Sequence, residues 1–151
     1  ATRVTVTAPC CSRMTKTGAR VTTVRAWVRA LALPFPVAVV LFYREYETLF
    51  LPCLAQMAAK PLKDHLGREL APLAPEASFG GDPEQSRDAK KIVNRFLPRT
   101  SPYQPTTHQL ALTRLLDFDV LRSSGLPCFG TLERALSFVL DTPSGVYPPT
   151  P

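Results

Sequence analysis

Residues 26–43 read AWVRALALPFPVAVVLFY, and after the charged segment REYE at 44–47 the apolar character returns in TLFLPCLAQMAA at 48–59. No other part of the chain is so apolar for so long. The remaining sequence flanks this stretch, so the structure that residues 26–59 adopt decides the fold.

The uncharged part of the first run, residues 30–43, is short for a membrane span. In a helix these residues reach about 21 Å, against a hydrocarbon thickness of roughly 30 Å. With Trp27 in the interface and Arg29 snorkelling outward, residues 26–43 become just long enough. Pro34 and Pro36 oppose a span, because each removes a backbone donor that hydrocarbon cannot replace. Three alternatives follow: a span, a helix buried in protein, and an interfacial segment.

The residues on either side of the run resemble the two surfaces of a membrane. From residue 20 the apolar spacing predicts a basic amphipathic helix, which suits anionic phospholipid such as cardiolipin. After the run, aromatic residues lie beside charged ones, as in an aromatic belt. The predicted lipid contacts are Arg20, Arg25 and Arg29, and the predicted membrane or interface anchors are Trp27, Phe35, Phe42, Tyr43 and Tyr46.

The charge of the chain is concentrated at its N-terminal end. Residues 1–44 contain seven basic residues and no acidic one, whereas all 12 acidic residues follow. This asymmetry indicates an anionic partner, either phospholipid or nucleic acid. The aromatic residues cluster in the apolar segment instead of forming a base-stacking surface among the basic ones, so lipid is favoured. The threonine-rich, acid-free composition also resembles an organelle transit peptide, which predicts a location at the mitochondrial inner membrane. If the apolar segment spans that membrane, the positive-inside rule places the N-terminus on the matrix side.

Proline sets the predicted fold class. The 16 prolines leave few intervals long enough for uninterrupted helices or strands. Helix-start signals appear at Asp82-Pro83, at Thr106 with Gln109, and at Thr131. We therefore predict an all-α chain of short helices on extended Pro-rich connectors, with one apolar segment that spans or docks at a membrane. The predicted regions are a basic arm at 1–19, an amphipathic helix with the apolar segment at 20–60, a small helical region at 61–141, and a Pro-rich tail at 142–151.

Chemical motifs are weak in this sequence. The four cysteines match no zinc-site spacing, and free thiols are expected. His65 lies next to Asp64 and four residues before Glu69, an arrangement typical of a solvated helix face. No P-loop is present, and no pair of carboxylates is seen to converge. We predict no catalytic, cofactor-binding or metal-binding residue, and therefore no enzyme.

These inferences favour a non-catalytic accessory subunit of a mitochondrial membrane complex, either of the respiratory chain or ATP synthase, which stabilises assembly by binding other subunits. The alternative is a peripheral RNA-contacting protein of an organellar ribosome. A third hypothesis is a small helical enzyme whose site the sequence does not reveal.

Overall fold

The structure is a computed structural model that describes residues 5–7, 14–42 and 45–148, with side chains described for residues 22–40, 42 and 45–148. The chain divides into two compact units. Unit 1 comprises residues 1–44 and 127–151, and unit 2 comprises residues 45–126.

The described elements follow one another in mixed order. In chain order they are β1 (Thr5–Thr7), α1 (Met14–Ala30), β2 (Pro36–Leu41), a 3-10 helix (Tyr46–Cys53), α2 (Leu54–Met57), β3 (Leu62–Lys63), β4 (Glu69–Leu70), α3 (Ala89–Arg95), α4 (Pro105–Thr113), α5 (Phe118–Ser123), α6 (Pro127–Asp141) and β5 (Gly145–Tyr147).

Unit 1 is built on a parallel three-stranded sheet with the order β1, β2, β5. Val6 of β1 pairs with Val40, and Ala38 pairs with Tyr147 of β5. Helices α1 and α6 both pack on the central strand β2. The prediction of an all-α chain is therefore wrong, since the chain combines helices with a small parallel sheet.

The apolar run at 26–43 breaks at its prolines. Helix α1 ends at Ala30, and Ala32 has a positive φ of 42° just beyond it. Pro34 cannot continue a helix, and Pro36 occupies the first position of β2, where proline is tolerated. The following VAVVL is rich in β-branched valine, which favours a strand. A run that resembled one apolar helix is therefore a helix end followed by a strand.

Strand β2 is buried on both faces. Ala38 and Val40 pack against Ala135 and Val139 of α6, and each of these four side chains is at most 5% exposed. The alternate residues Val37 and Val39, which point to the other face, are each 5% exposed, and α1 is the second helix that packs on β2. Burial on both faces explains why the strand is continuously hydrophobic rather than alternating.

The structure contradicts the predicted membrane span. Within residues 5–7, 14–42 and 45–148, no helix is long and apolar enough to cross a membrane. A span over residues 26–43 is wrong, because these residues form the end of α1 and the buried strand β2. The location in the mitochondrial inner membrane, with the N-terminus on the matrix side, rested on that span and is wrong as well.

Unit 2 is organised around the 3-10 helix. Its residues Leu49, Phe50 and Leu51 are at most 1% exposed, and α2 continues the buried surface with Leu54 and Met57. Helices α3, α4 and α5 all pack on the 3-10 helix. The predicted starts at Thr106 and Thr131 correspond to helices that begin slightly earlier, at Pro105 and Pro127, whereas Asp82 begins only a turn and α3 starts at Ala89.

The described cysteines are free thiols, as predicted. Cys53 and Cys128 are both buried, and Cys10 and Cys11 lie outside the described residues. The Cys53 thiol donates a hydrogen bond to the carbonyl oxygen of Asp117 at 3.6 Å. Burial raises the pKa of this thiol, so it remains protonated and serves as a packed donor.

Residues 62–70, which lie in the region predicted to be helical, form an antiparallel hairpin of β3 and β4. Asp64 is only 1% exposed, and its Oδ1 accepts hydrogen bonds from the backbone N–H groups of Leu66 and Arg68 at 2.8 and 2.9 Å. Its Oδ2 pairs with Arg68 Nε at 2.6 Å. Gly67, with a φ of 78°, allows the left-handed turn between the strands. The Asp64 side chain thus stabilises the turn, whereas the sequence analysis placed it with His65 on a solvated helix face.

Asp64→Asn should lower the melting temperature, and the loss should depend on pH. Burial alone would raise the pKa of Asp64, but the hydrogen bonds from Arg68 and Leu66 outweigh it and hold the pKa below its usual value. The carboxylate therefore stabilises the folded state above the unfolded pKa of about 3.9, and the contribution disappears as the pH falls through the lower folded value. Thermal denaturation followed by circular dichroism should show a difference between wild type and variant at pH 7 that narrows below about pH 4. Asp119→Asn, at a 93% exposed side chain, is the control and should show little effect.

Candidate functional site

A buried carboxylate lies in the first turn of the 3-10 helix. Glu47 is 1% exposed, although glutamate is almost never fully buried unless it is paired. Its Oε1 accepts a hydrogen bond from the Tyr103 hydroxyl at 2.9 Å and a longer one from Gln109 Nε2 at 3.4 Å. The charge is thus held by donors from two segments far away in sequence.

A second carboxylate and a lysine lie beside Glu47. The ammonium Nζ of Lys90 is 3.5 Å from Oε1 of Glu45 and 4.0 Å from Oε2 of Glu47. The side chains of Glu45 and Lys90 are 25% and 47% exposed, whereas that of Glu47 is 2% exposed. One ammonium therefore faces two carboxylates, and the cluster opens to solvent on the side of Glu45 and Lys90.

Local structure explains how Glu45 reaches Lys90. Glu45 is extended, with φ −131° and ψ 148°, immediately before the 3-10 helix. Lys90 lies in the first turn of α3, where backbone N–H groups have no partner within the helix. The side chain of Asp88, which precedes α3, makes no capping bond, and Glu45 Oε2 instead accepts from the Lys90 backbone N–H at 3.2 Å. Glu45 thus caps α3 from another segment.

Tyr103 is positioned by its own backbone. Its N–H donates to Asn94 Oδ1 at 2.6 Å, which ties the connector before α4 to α3. The ring of His108 lies 5.7 Å from the Tyr103 ring, and Gln104 N–H donates to His108 Nδ1 at 3.1 Å. Burial raises the pKa of Tyr103, and the charge of Glu47 raises it further. The phenol therefore stays protonated and remains a donor to the Glu47 carboxylate.

The arrangement suits a hard cation. Two carboxylates that face one ammonium have one formal negative charge in excess, and their oxygens Glu45 Oε1 and Glu47 Oε2 point toward the same cation. Within the described part of the chain, no group of three or more His, Cys, Asp or Glu side chains could enclose a metal ion. Mg²⁺ is commonly held by only one or two carboxylates, with water and substrate phosphates completing its shell. Two carboxylates are a number that Mg²⁺ can use, and in this structure their counter-ion is the Lys90 ammonium.

Comparison with known proteins identifies the family but no activity. Residues 11–137 match a family described as a domain of unknown function, DUF4276. The chain belongs to the DUF4276 family. The match contains all five residues of the cluster, Glu45, Glu47, Lys90, Tyr103 and Gln109. No curated protein and no solved structure matches significantly. This bacterial-type family gives no support to a mitochondrial location, in agreement with the structural correction above.

The predicted lipid contacts of this DUF4276 chain lie on α1. Arg25 is partly buried and its Nη1 donates to the carbonyl oxygen of Pro148 at 3.3 Å. Arg29 is in the last turn of α1, and the side chain of Arg20 lies outside the described residues. Trp27 is 68% exposed. Whether these residues contact lipid stays a prediction.

The other predicted anchors are dispersed. Phe35 is half-buried before β2, Phe42 is completely buried in unit 1, and Tyr43 lies outside the described residues. Tyr46, in unit 2, shares a hydrogen bond with Thr113 Oγ1 at 3.0 Å and packs edge-on against Phe50 at 5.6 Å. Phe42 and Tyr46 therefore belong to the packing within their own units.

Sequence reasoning missed all five residues of the cluster. The pair Glu45 and Glu47 gave no periodic signal, because Glu45 is extended whereas Glu47 lies in the 3-10 helix. Lys90 follows Glu45 only after 45 residues, and no local pattern connects them. Contrary to the sequence-based expectation, two carboxylates do converge in this protein.

Tyr103→Phe should destabilise the protein by about 1.5–3 kcal/mol, because it removes a hydrogen bond to a buried charged group. Tyr46→Phe is a matched control that removes a hydroxyl bonded to a neutral threonine, and it should cost only about 0.5–1.5 kcal/mol. Urea denaturation of both variants measures the difference. An equal or larger loss in Tyr46→Phe would contradict the importance given to the Tyr103 bond with Glu47.

Proposed function

We propose that this DUF4276 protein is an enzyme that uses a divalent cation, held by Glu45 and Glu47, to hydrolyse a phosphate ester. The observation that carries the proposal is the convergence of these two carboxylates, one buried and one open to solvent, on the ammonium of Lys90. The prediction that the protein is not an enzyme relied on the absence of converging carboxylates. The convergence of Glu45 and Glu47 removes this argument.

The burial of Glu47 supports a functional role. A buried ion pair seldom stabilises a fold more than well-packed apolar residues of similar volume. The cluster nevertheless uses Tyr103, Gln109 and Lys90 to hold one carboxylate. Rigid support of this kind is characteristic of residues that must keep a fixed geometry toward a ligand.

Each residue has a distinct role in the proposed reaction. Glu47, fixed by Tyr103, is the rigid cation ligand, and Glu45 is the second ligand at the solvent-exposed side. A divalent cation held by Glu45 and Glu47 would polarise a phosphoryl oxygen, and Lys90 would contact the phosphate. Hydrolysis then forms a bond from a water oxygen to phosphorus and breaks the bond from phosphorus to the ester oxygen, while the water gives up a proton to solvent and the departing oxygen takes one up.

A second candidate is the non-catalytic, partner-binding role predicted from the sequence, without its mitochondrial setting. It is favoured by exposed apolar residues in unit 1. Leu136 and Leu140, one helical turn apart on α6, are 41% and 80% exposed. Trp27 on α1 and Leu31 just after it are 68% and 65% exposed. Exposed apolar surface on a helix face, such as that of Leu136 and Leu140, commonly marks a binding surface.

Glu47→Gln should reduce Mg²⁺-dependent hydrolysis of bis(p-nitrophenyl) phosphate by roughly a hundredfold or more, in the range seen when a charged catalytic group is removed. The amide retains the volume of the side chain and can still accept from Tyr103, so circular dichroism should show a folded protein. Asp119→Asn, a change of the same kind at an exposed site, should leave the rate unchanged. Equal hydrolysis by wild type and Glu47→Gln, or none by wild type with any divalent cation, would refute the proposed function.

Replacing Leu136 and Leu140 together by glutamate should abolish self-association if α6 binds a second copy of the chain. Analytical ultracentrifugation should then give a monomer for the variant and a larger species for wild type. The control replaces Arg134 and Ser137, two exposed residues of the same helix, by glutamate. A wild-type protein that is monomeric at high concentration would exclude self-association through this surface.

A further inference from the structure

The exposed apolar side chains of unit 1 lie near the C-terminal ends of its two helices. Among the residues described with side chains, four large hydrophobic ones of this unit are exposed, namely Trp27, Leu31, Leu136 and Leu140. Trp27 is in the last turn of α1, and Leu31 follows the helix directly. Leu140 is in the last turn of α6, and Leu136 lies one turn earlier.

The sheet places these two helix ends at one edge. Helix α1 leads into β2 and helix α6 leads into β5, and these strands are parallel neighbours in which Pro36 pairs with Gly145. Leu31 and Leu140 each lie five residues before their member of this pair. Since parallel strands run in the same direction, both helices end at the edge where β2 and β5 begin. We call the exposed side chains at this edge the apolar edge, which consists of Trp27, Leu31, Leu136 and Leu140.

The connector between α1 and β2 adds further apolar surface. Residues 31–35 read LALPF and contain no polar side chain, and Leu31, Ala32 and Pro34 are exposed. Connectors at a protein surface usually carry polar turn residues such as Asn, Asp and Ser. Trp27 beside this connector has an apolar ring and one polar N–H, a combination that is enriched at membrane interfaces. The composition of the apolar edge therefore suits a lipid interface better than water.

The charge of unit 1 indicates what covers the apolar edge. Unit 1 contains eight basic and two acidic residues, a formal charge of +6, whereas unit 2 contains ten of each kind. This charge opposes association with a second copy, because two strongly basic units would then be in contact. Nucleic acid would match the charge, but exposed leucine gains little from a phosphate backbone. An anionic phospholipid surface attracts basic groups and also takes up apolar side chains.

Two features of the apolar edge oppose this attraction. The C-terminal ends of α1 and α6 each carry about half a negative elementary charge, and Asp141 is exposed in the last turn of α6. Arg29, in the last turn of α1, offsets one of these ends. The attraction therefore comes from unit 1 as a whole, which acts over a Debye length of about 10 Å at 0.1 M salt. It should weaken as the salt concentration rises.

We propose that the apolar edge binds the surface of an anionic phospholipid bilayer without crossing it. Trp27, Leu31 and Leu140 enter the interface, while β2 stays buried within the protein. The bound surface thus combines two segments that are far apart in sequence, unlike the span predicted over residues 26–43. This binding is independent of the proposed hydrolysis, because Glu45 and Glu47 belong to unit 2.

The fluorescence of Trp27 tests the proposal directly, because the chain contains one tryptophan. Vesicles of phosphatidylcholine with about one-third phosphatidylglycerol should shift its emission to shorter wavelength, and brominated lipids should quench it. Phosphatidylcholine alone should bind far more weakly, and added salt should release the protein from the anionic vesicles. Asp141→Asn should tighten binding about fivefold, the change expected for one unit of charge near an anionic surface.

Substitutions that leave Trp27 in place separate the apolar edge from general stickiness. Leu31→Ser combined with Leu140→Ser should lower the vesicle partition coefficient at least about tenfold, because two exposed leucines lose their transfer into the interface. The control combines Leu66→Ser with Leu110→Ser in unit 2, and Leu66 matches Leu31 with 66% against 65% exposure. The control should bind as wild type does, and circular dichroism should show that both variants are folded.

Several results would overturn the proposal. They are an unchanged Trp27 emission with anionic vesicles, equal binding to phosphatidylcholine alone, and an equal loss of binding in the control variant. A shift of the emission without lipid, at concentrations where ultracentrifugation shows a dimer, would identify a second copy as the occupant. An equal shift with single-stranded DNA would identify nucleic acid. Either result would reject lipid as the partner of the apolar edge.

Discussion

The charge of Glu47 is the constraint on which unit 2 depends. A carboxylate with 1% exposure must be compensated by donors or counter-charges, because its desolvation is costly. Tyr103 from the connector before α4, Gln109 from α4 and Lys90 from α3 all meet this requirement. The three segments converge on the start of the 3-10 helix, which also carries the apolar core of the unit. Apolar packing and the bonds to the buried carboxylate thus favour the same arrangement of these segments. Agreement between different kinds of interaction is what specifies a single folded structure.

Sequence patterns predicted the helices better than the strands. The start signal at Thr106 lies within one residue of the start of α4, and the register from Thr131 to Leu140 lies within α6, because both depend on neighbouring residues. Strand β2 was missed because a short apolar run is compatible with a buried helix or a buried strand, and its parallel partner β5 is about a hundred residues away. The hairpin at Asp64 was missed because its aspartate, next to a histidine, resembled a helical pair rather than a turn.

The candidate site was beyond sequence reasoning for a related reason. Glu45 and Glu47 are adjacent to the apolar run that received most attention, and beside Tyr43 and Tyr46 they resembled the charged edge of a membrane segment. In the folded protein, Lys90, Tyr103 and Gln109 lie next to these two glutamates. The glutamates are therefore part of a network of ion pairs and hydrogen bonds rather than of a solvated surface. Such networks form through contacts between distant segments, and a single sequence contains no local record of these contacts. The family match covers the same residues but assigns them no activity.

The backbone N–H of Lys90 donates a hydrogen bond to Glu45, so this carboxylate is held in place whichever side chain residue 90 carries. The donor is a peptide N–H, which every amino acid except proline supplies. Evolution can therefore replace the side chain at position 90 and alter the charge of the cluster while Glu45 remains anchored to α3. A single substitution at position 90 therefore alters the electrostatics of the cluster without rebuilding the surrounding fold.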